Sequence, residues 1–452
     1  MLCGYTQKFL KNDQGGGTVV GLIWFMLLVG LCGLAVDTTN GIRNRTMLQV
    51  TADAAALAAV IDLPSTAVAV ASAITYSNGN MPVAEYGEVL KPENVEIGSW
   101  ERASRKFNAG GMAPDTVRVR LHQTEENANA VPVNFLRIIG LQTWNVNVEA
   151  VAQRYIPDCL RSGLVARGLI DISSSNDFGK RICLHGQEGV HMRSHNYFAP
   201  GVSVSMPDID QMLVLPSDGM KNSPGLPVVL KEQSFDPRMV NHVAEFIDDL
   251  LTKEAYVTPS YIDTSKDVIV RDETYNFADV EPGRIYHIEC PANKNVGIPN
   301  NITLTEVVIV SDCQVSVGSN VSMHDVVLAS RAGGNPGGGS ATGSTVGNAD
   351  GTQNSNINFS ADANLGLADR CAPGGGVQIF SNASVHFSST MTINGLQIVA
   401  KGDVDLGAHG AGINGINVQT GGNITLTSSN MFGRCTGGSP QFFPIYYYRL
   451  VA

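Results

Sequence analysis

Between Thr18 and Val36 the chain reads TVVGLIWFMLLVGLCGLAV, nineteen residues without a charge. At about 1.5 Å of rise per residue, such a run just crosses a hydrocarbon core of roughly 30 Å. It predicts a membrane-spanning helix, because a soluble helix of this length carries a polar face. A cleaved secretory signal fits less well: the run exceeds a typical apolar signal core, and no small-residue cleavage site follows. The helical pattern continues past the apolar run. Asp37 to Asp62 contains no proline, Ala52 to Ala59 is mostly alanine, and Pro64 ends the stretch. Thr18 to Asp62 is therefore expected to form one rod of about 67 Å, part in lipid and part projecting. Its small-residue face suits close packing on a sheet of its own chain or on a neighbouring protein.

The pattern then changes to strand periodicity. Val95 and Ile97, then Val117, Val119 and Leu121, then Val146, Val148 and Ala150 alternate with polar residues. Val131 to Ile139 is a short apolar segment that reads as helical.

Beyond residue 158 a repeat appears: an aliphatic residue, five residues, a second aliphatic, one residue, a third. Leu164–Ile170–Ile172, Leu184–Val190–Met192, Ile309–Val315–Val317, Ile379–Val385–Phe387, Ile398–Val404–Leu406 and Val418–Ile424–Leu426 fit it. Val204 and Leu328 begin further copies, and the spacing is nineteen or twenty residues. A fixed period with short alternation predicts a solenoid whose coils stack at roughly 4.8 Å around an aliphatic ladder. A parallel β-helix is the expected fold of this body, and a β-sandwich is the alternative. Two stretches interrupt the repeat. Pro207 to Arg284 holds a helical segment with Val243, Phe246, Ile247, Leu250 and Leu251 on one face, which suits covering the sheet. Ala332 to Gln353 is rich in Gly and Ser and reads as a loop.

Composition narrows the function. The 452 residues carry a formal charge of −11, only 16% of them charged, with no basic stripe, which excludes a nucleic-acid surface. Gly is frequent at 48 residues, as turn-rich β structure requires. Six of the eight cysteines (Cys159, Cys183, Cys290, Cys313, Cys371 and Cys435) lie in the later chain, with no Cys-x-x-Cys pair, which points to disulfides rather than zinc. Cys159–Cys183 and Cys290–Cys313 are separated by slightly more than one coil, so each pair is expected to bond between adjacent coils. Cys371 and Cys435 remain as a pair, about three coils or roughly 14 Å apart along the stack unless loops fold back. Counting basic residues hardly orients the anchor, since Lys8 and Lys11 precede it while Arg43 and Arg45 follow. The cysteines place the later chain on the oxidising side.

Candidate chemistry is sparse. Asp171, Ser173 and Ser175 resemble the start of a metal-dependent adhesion site, but Ile170 and Ile172 belong to the repeat and leave Asp171 as an outward strand residue. His185, Glu188, His191 and His195 are close in sequence, as transition-metal ligands are, and also suit polar turns. The template places Ser316, His386, Asp405 and Thr425 at equivalent outward positions, making His386 and Asp405 neighbours on adjacent coils. An imidazole beside a carboxylate is acid–base material, though no further acid, base or nucleophile aligns with it. No phosphate loop, metalloprotease helix or nucleophile elbow occurs. No catalytic residue, metal or cofactor is assigned.

The run from Asp13 to Val60 resembles the N-terminus of the TadE/TadG-like Flp (tight adherence) pilus-assembly family. The resemblance rests on the Gly-rich lead, the apolar span, Asp37 at its end, Arg43 and Arg45, and the Ala-Asp-Ala-Ala-Ala-Leu-Ala stretch with Ala52, Asp53 and Leu57. VEIGSW, TVRVRL, VPVNFLRIIG and VNVEAVA extend it to about residue 155. The resemblance implies a pilin-like helix on a small antiparallel sheet, with other pilus-assembly proteins or pilins as partners. Pseudopilins carry a Glu five residues after their processing site; counted from Gly17, that position holds Leu22. A retained anchor of the TadG type is therefore expected.

The expected organisation is a cytoplasmic N-terminus (1–17), a transmembrane helix (18–36), a pilin-like α+β domain (37–157), first β-helix coils (158–206), a helical and loop insertion (207–284), a main β-helix (285–436, with the loop at 332–353) and a C-terminal tail (437–452). The expected function is a non-enzymatic single-pass component of pilus assembly or surface attachment in the inner membrane, its body periplasmic or at the cell surface. The alternatives are a carbohydrate-binding or carbohydrate-cleaving β-helix on a membrane stalk, with surface polysaccharide as partner, and a metal-dependent adhesin.

Overall fold

The apolar run and the alanine-rich stretch form one continuous helix, α1 (Gly16–Ile61), in the computed structural model of the protein. The structure describes residues 16–452 apart from 216–219, 235, 292–293, 333–354, 368–375, 389, 408–410, 434 and 436–445. The N-terminal segment up to residue 15, expected to be cytoplasmic, nearly all of the Gly/Ser-rich loop and Cys371 thus lie outside the described residues. The chain divides into two compact units, Met1–Tyr155 with Tyr446–Ala452, and Ile156–Ile445.

In the first unit, the apolar span of α1 stands free of the fold: Trp24, Phe25 and Met26 are each more than 60% exposed. The helix stops one residue before Asp62, since Pro64 denies it another turn. A second helix, α2 (Thr66–Asn80), follows. Both lie on an antiparallel sheet ordered Lys106–Ala109, Val95–Glu101, Thr116–Gln123, Val146–Tyr155, Tyr447–Leu450. The alternation sets the two faces of the sheet. Val117, Val119 and Leu121 face inward onto Ala52, Ala55, Ala56 and Ala59. Arg118 and Arg120 face outward, where Arg118 bonds Glu96 and Arg120 pairs with Glu96 at 3.1 Å and Glu149 at 3.0 Å. Alanines on the helix let its backbone approach the sheet closely.

Two expectations for this unit need correction. Val131–Ile139 is not one helix: Val131–Pro132 pairs with Thr143–Trp144, and only Leu136–Ile139 makes a short 3-10 turn. Pro132 and the need to pair edge groups win over the apolar run. The C-terminal stretch is no free tail either. Tyr447–Leu450 adds the last strand beside Val146–Tyr155, and Val151 N–H donates to the Ala452 carbonyl at 2.8 Å. Tyr447, Tyr448 and Leu450 supply the aromatic and aliphatic side chains that a half-buried edge strand favours.

The second unit is a large body of parallel strands. Among the described residues one sheet has fifteen strands and another nine, and every pair in both is parallel. An antiparallel sandwich is thereby excluded. Within each sheet, residues about one repeat apart stand opposite each other. On the larger sheet the column runs Tyr286, Ile309, Leu328, Ile379, Ile398, Val418, Leu164, Leu184, Val204. On the smaller sheet one column runs Val296, Val315, Ile357, Val385, Val404, Ile424, Ile170, Val190. A parallel column runs Ile298, Val317, Phe359, Phe387, Leu406, Leu426, Ile172, Met192. All these side chains are buried in one core, and each contributes about 1.5–3 kcal/mol of apolar burial.

The two stretches of repeat do not stack in chain order. The first repeat lies beside the last: Leu164 pairs with Val418, Ile170 with Ile424, and Phe178 with Phe432. Phe178 stacks between Phe198 and Phe432, with centroids 5.1 and 5.0 Å away. Beneath them three buried asparagines continue the contact. Asn176 N–H donates to Asn196 Oδ1 at 2.8 Å, and Asn430 N–H donates to Asn176 Oδ1 at 3.0 Å. The residue before each asparagine (Ser175, His195, Ser429) takes a left-handed conformation, so the same turn recurs in three repeats.

Segment 207–284 therefore connects opposite ends of the stack. Eleven strands lie along the larger sheet's main path, about 48 Å from end to end. Along the way α3 (Val243–Thr252) lays Val243, Phe246, Ile247 and Leu250 on Val308, Val310, Val327, Phe380 and Val399 of the sheet's outer face. Leu251 is partly buried beside them. Asp248 of this helix pairs with Arg331 at 2.6 Å, and Arg331 also meets Asp312 at 3.3 Å.

Candidate functional site

Two places gather the residues singled out from the sequence: the point where α1 leaves its apolar span, and the outer column of the nine-stranded sheet. At the first, Asp37 is 2% exposed. Its carboxylate accepts the backbone N–H groups of Asn134 (2.9 Å), Phe135 (2.8 Å) and Leu136 (2.7 Å). These are the free donors at the start of the Leu136–Ile139 turn, which a carboxylate satisfies as an N-cap would. Gly33 and Gly41, one turn to either side, are closed in by Phe135 and Trp144, leaving no room for a side chain. Asp37 thus docks the 134–144 segment onto the helix.

The other motif residues divide by burial. Ala52 is fully buried against the sheet and Leu57 packs at its edge. Asp53 accepts from Gln49 Nε2 at 2.9 Å, while Gln49 also donates to the Glu149 carbonyl at 3.1 Å. Arg43 and Arg45 are exposed. Asp37 and Ala52 are therefore part of the unit's packing, and the two arginines face outward.

On the second unit, His386 and Asp405 stand opposite each other on adjacent strands, with His386 Nδ1 3.1 Å from Asp405 Oδ2. Both are partly exposed, so their attraction is screened by water. The register extends the column: Asp405 faces Thr425, Thr425 faces Asp171, and Asp171 faces His191. The sequence template aligned Ser316, His386, Asp405 and Thr425 but did not join Asp171 and His191 to them, because their two strands precede the others in the chain. On the other side, His386 faces Asn358 and Asn358 faces Ser316.

The remaining candidates do not converge. His185 is buried, 2.9 Å from Ser205 Oγ and 3.1 Å from Gln187 Oε1, while His191 lies on the outer column and His195 in a corner. Ser173 N–H donates to the Leu426 carbonyl, and Ser175 is the left-handed corner residue. Among the described residues no group of three His, Cys, Asp or Glu is arranged to hold a metal. Cys159 is bonded to Cys183 and Cys290 to Cys313, with Cα atoms 4.9 and 5.7 Å apart. Cys435 is disulfide-bonded, and Cys32 is a free, exposed thiol in the apolar span.

Comparison with known proteins agrees with this division. Residues 15–72 match the family described as Flp pilus-assembly TadE/G-like, and residues 45–152 match Tad-like Flp pilus-assembly. The N-terminal region is thus Tad-like. No curated protein matches the chain. Among solved structures, the crystal structure of an ice binding protein from an Antarctic Biological Consortium is similar at 8% identity over 62% of this chain and 90% of that one. Its TM-score of 0.17 is too low to carry a structural argument. Residues 163–436, more than half of the sequence, match a further family model, and the chain belongs to that family, Domain of unknown function (DUF7867).

Proposed function

We propose that the protein is a non-enzymatic, single-pass component of Flp pilus assembly or surface attachment, anchored in the inner membrane by α1 and presenting its second unit on the outer side. The observation that carries this reading is the continuity of α1: one helix passes from an exposed apolar span directly into the helix-on-sheet unit matched by the pilus-assembly families. The bonded cysteine pairs support an oxidising location for the body. The aligned columns of buried residues support reading that body as a parallel β-helix, 163–206 and 285–436 forming one stack, with 207–284 adding strands at both ends and running between them. Other pilus-assembly proteins or pilins are the partners this reading implies.

The test is genetic and biochemical. Deleting the gene in the native host should abolish or shorten fibres and reduce attachment, and cross-linking in membranes should recover pilus-assembly components with the full chain. Unchanged fibres and attachment in the deletion strain would sink the reading.

A second reading draws on the outer column. Asp405 and Asp171 are two strand spacings apart, about 9.6 Å, near the upper limit for the paired carboxyl groups of inverting glycosidases. A surface polysaccharide lying across the coils would meet His386, Asp405, Thr425, Asp171 and His191 in turn. Sustained depolymerisation of a polysaccharide by the purified protein, lost in both Asp405→Asn and Asp171→Asn, would favour this reading over the structural one.

A further inference from the structure

The 134–144 segment is fixed at a known height on α1, and that height places its apolar side chains at the edge of the span. Phe135 closes over Gly33, where an added Cβ would come within 2.7 Å of the Phe135 Cβ. Gly33 lies four residues inside the helix from Asp37, so the Phe135 contact sits about 6 Å below the carboxylate, within the Thr18–Val36 run. Trp144, over Gly41, lies about 6 Å on the opposite side of Asp37, the zone where tryptophan marks a membrane interface. Between these two fixed points the chain turns through Leu136–Ile139 and leaves Phe135 44%, Ile138 86% and Leu141 40% exposed. Three large apolar side chains on one short turn are costly in water. Here they continue the exposed apolar surface of the helix from which they are hung. Arg137 on the same turn is exposed, and its long stem can carry the charge back to the headgroups.

We propose that the 135–141 turn is a second membrane contact, inserting Phe135, Ile138 and Leu141 among the acyl chains of the leaflet from which α1 emerges. The occupant of this surface is lipid, and the argument for lipid is continuity with the apolar span at the same height. Asp37 is the positioning residue: by accepting three backbone N–H groups it holds the turn against the helix at this depth. The inference rests on the reading of α1 as a membrane anchor.

The free Cys32 offers a built-in reference for that anchor. Full-length protein carrying Cys3→Ser would be labelled at Cys32 with an environment-sensitive fluorophore and reconstituted in phosphatidylcholine vesicles. Two further proteins, Cys3→Ser/Cys32→Ser with either Ile138→Cys or Arg102→Cys, would be labelled alike, with the unsubstituted double-serine protein as blank. Arg102 is an exposed residue of the same unit, remote in sequence from the turn. The probe at 138 should be quenched by a nitroxide placed high on the acyl chain, and protected from iodide several-fold relative to the probe at 102. If 138 behaves like 102 while 32 reports lipid, the turn lies in water and the proposal is overturned. If 32 itself reports water, the anchor reading fails, and the insertion proposal falls with it.

Discussion

The two units bury apolar side chains by different means. In the first, the buried positions follow no repeat: Ala52, Ala55 and Ala59 of one helix pack in the same cluster as Val117, Val119 and Leu121 of one strand. In the second, each buried position recurs in repeat after repeat, as Phe359, Phe387, Leu406 and Leu426 do at one register. Packing without a repeat gives each residue its own surroundings. Repeated packing makes the repeats interchangeable in pattern, so stability rests on many equivalent contacts and the order of the repeats must be fixed by something else. Phe178, Phe198 and Phe432, with Asn176, Asn196 and Asn430, supply that fixing where the first repeat meets the last.

The largest effect should come at that junction. Phe432→Ala would leave a cavity beside Phe178 and should cost about 3–5 kcal/mol in denaturant melts of the detergent-solubilised full chain. Were Phe432 instead at an open end of the stack, the loss would be far smaller. A cysteine pair at Asp177 and Met431, which face each other in register, should form a disulfide under mild oxidation. Failure to cross-link would break the assignment of neighbours. Leu406→Ala, between Phe387 and Leu426, should cost about 2–5 kcal/mol in the same assay.

The first unit should be sensitive in another way. Asp37→Ala leaves three backbone N–H groups without their acceptor, which should cost about 1–3 kcal/mol, and Asp37→Asn, which keeps an acceptor oxygen, should cost less. Limited proteolysis should show the loss as earlier cutting in the 134–144 segment. Equal protection in wild type and Asp37→Ala would mean that the turn is held by Phe135 and Trp144 alone.

The comparison also explains what the sequence disclosed. Recurrence made the ladders legible: Leu184, Ile309, Ile398 and Val418 stand where the nineteen-to-twenty-residue spacing puts them. The same recurrence hid the order, because Leu164 matches Val418 as well as it matches Leu184. The first unit was legible through its alternating strands and its family motif. Asp37's bonds to Asn134, Phe135 and Leu136 were not, since a carboxylate and the backbone it caps leave no periodic trace across nearly a hundred residues. Tyr447–Leu450 was missed for a related reason: a single edge strand far from its partner shows only as a short β-favouring run.

The smallest expected effect tests whether the outer column is scaffold or site. Asp405 shares its strand with Leu406 but points the other way and is only partly buried, with His386 Nδ1 at 3.1 Å. A partly exposed polar pair of this kind is worth about 0–1 kcal/mol, so Asp405→Ala should barely move the melt that Leu406→Ala shifts by several. The contrast between adjacent residues is the sharp measurement, because a slip of one residue in register would exchange their faces and reverse the ranking. If Asp405→Ala is the more damaging, the column is held by its polar side chains rather than by the aliphatic ladder beneath. If stability is unchanged but attachment of the native host to a surface is lost, the column is where the second unit meets its partner. Asp171→Ala, two strands away on a strand distant in the chain, should then produce the same loss.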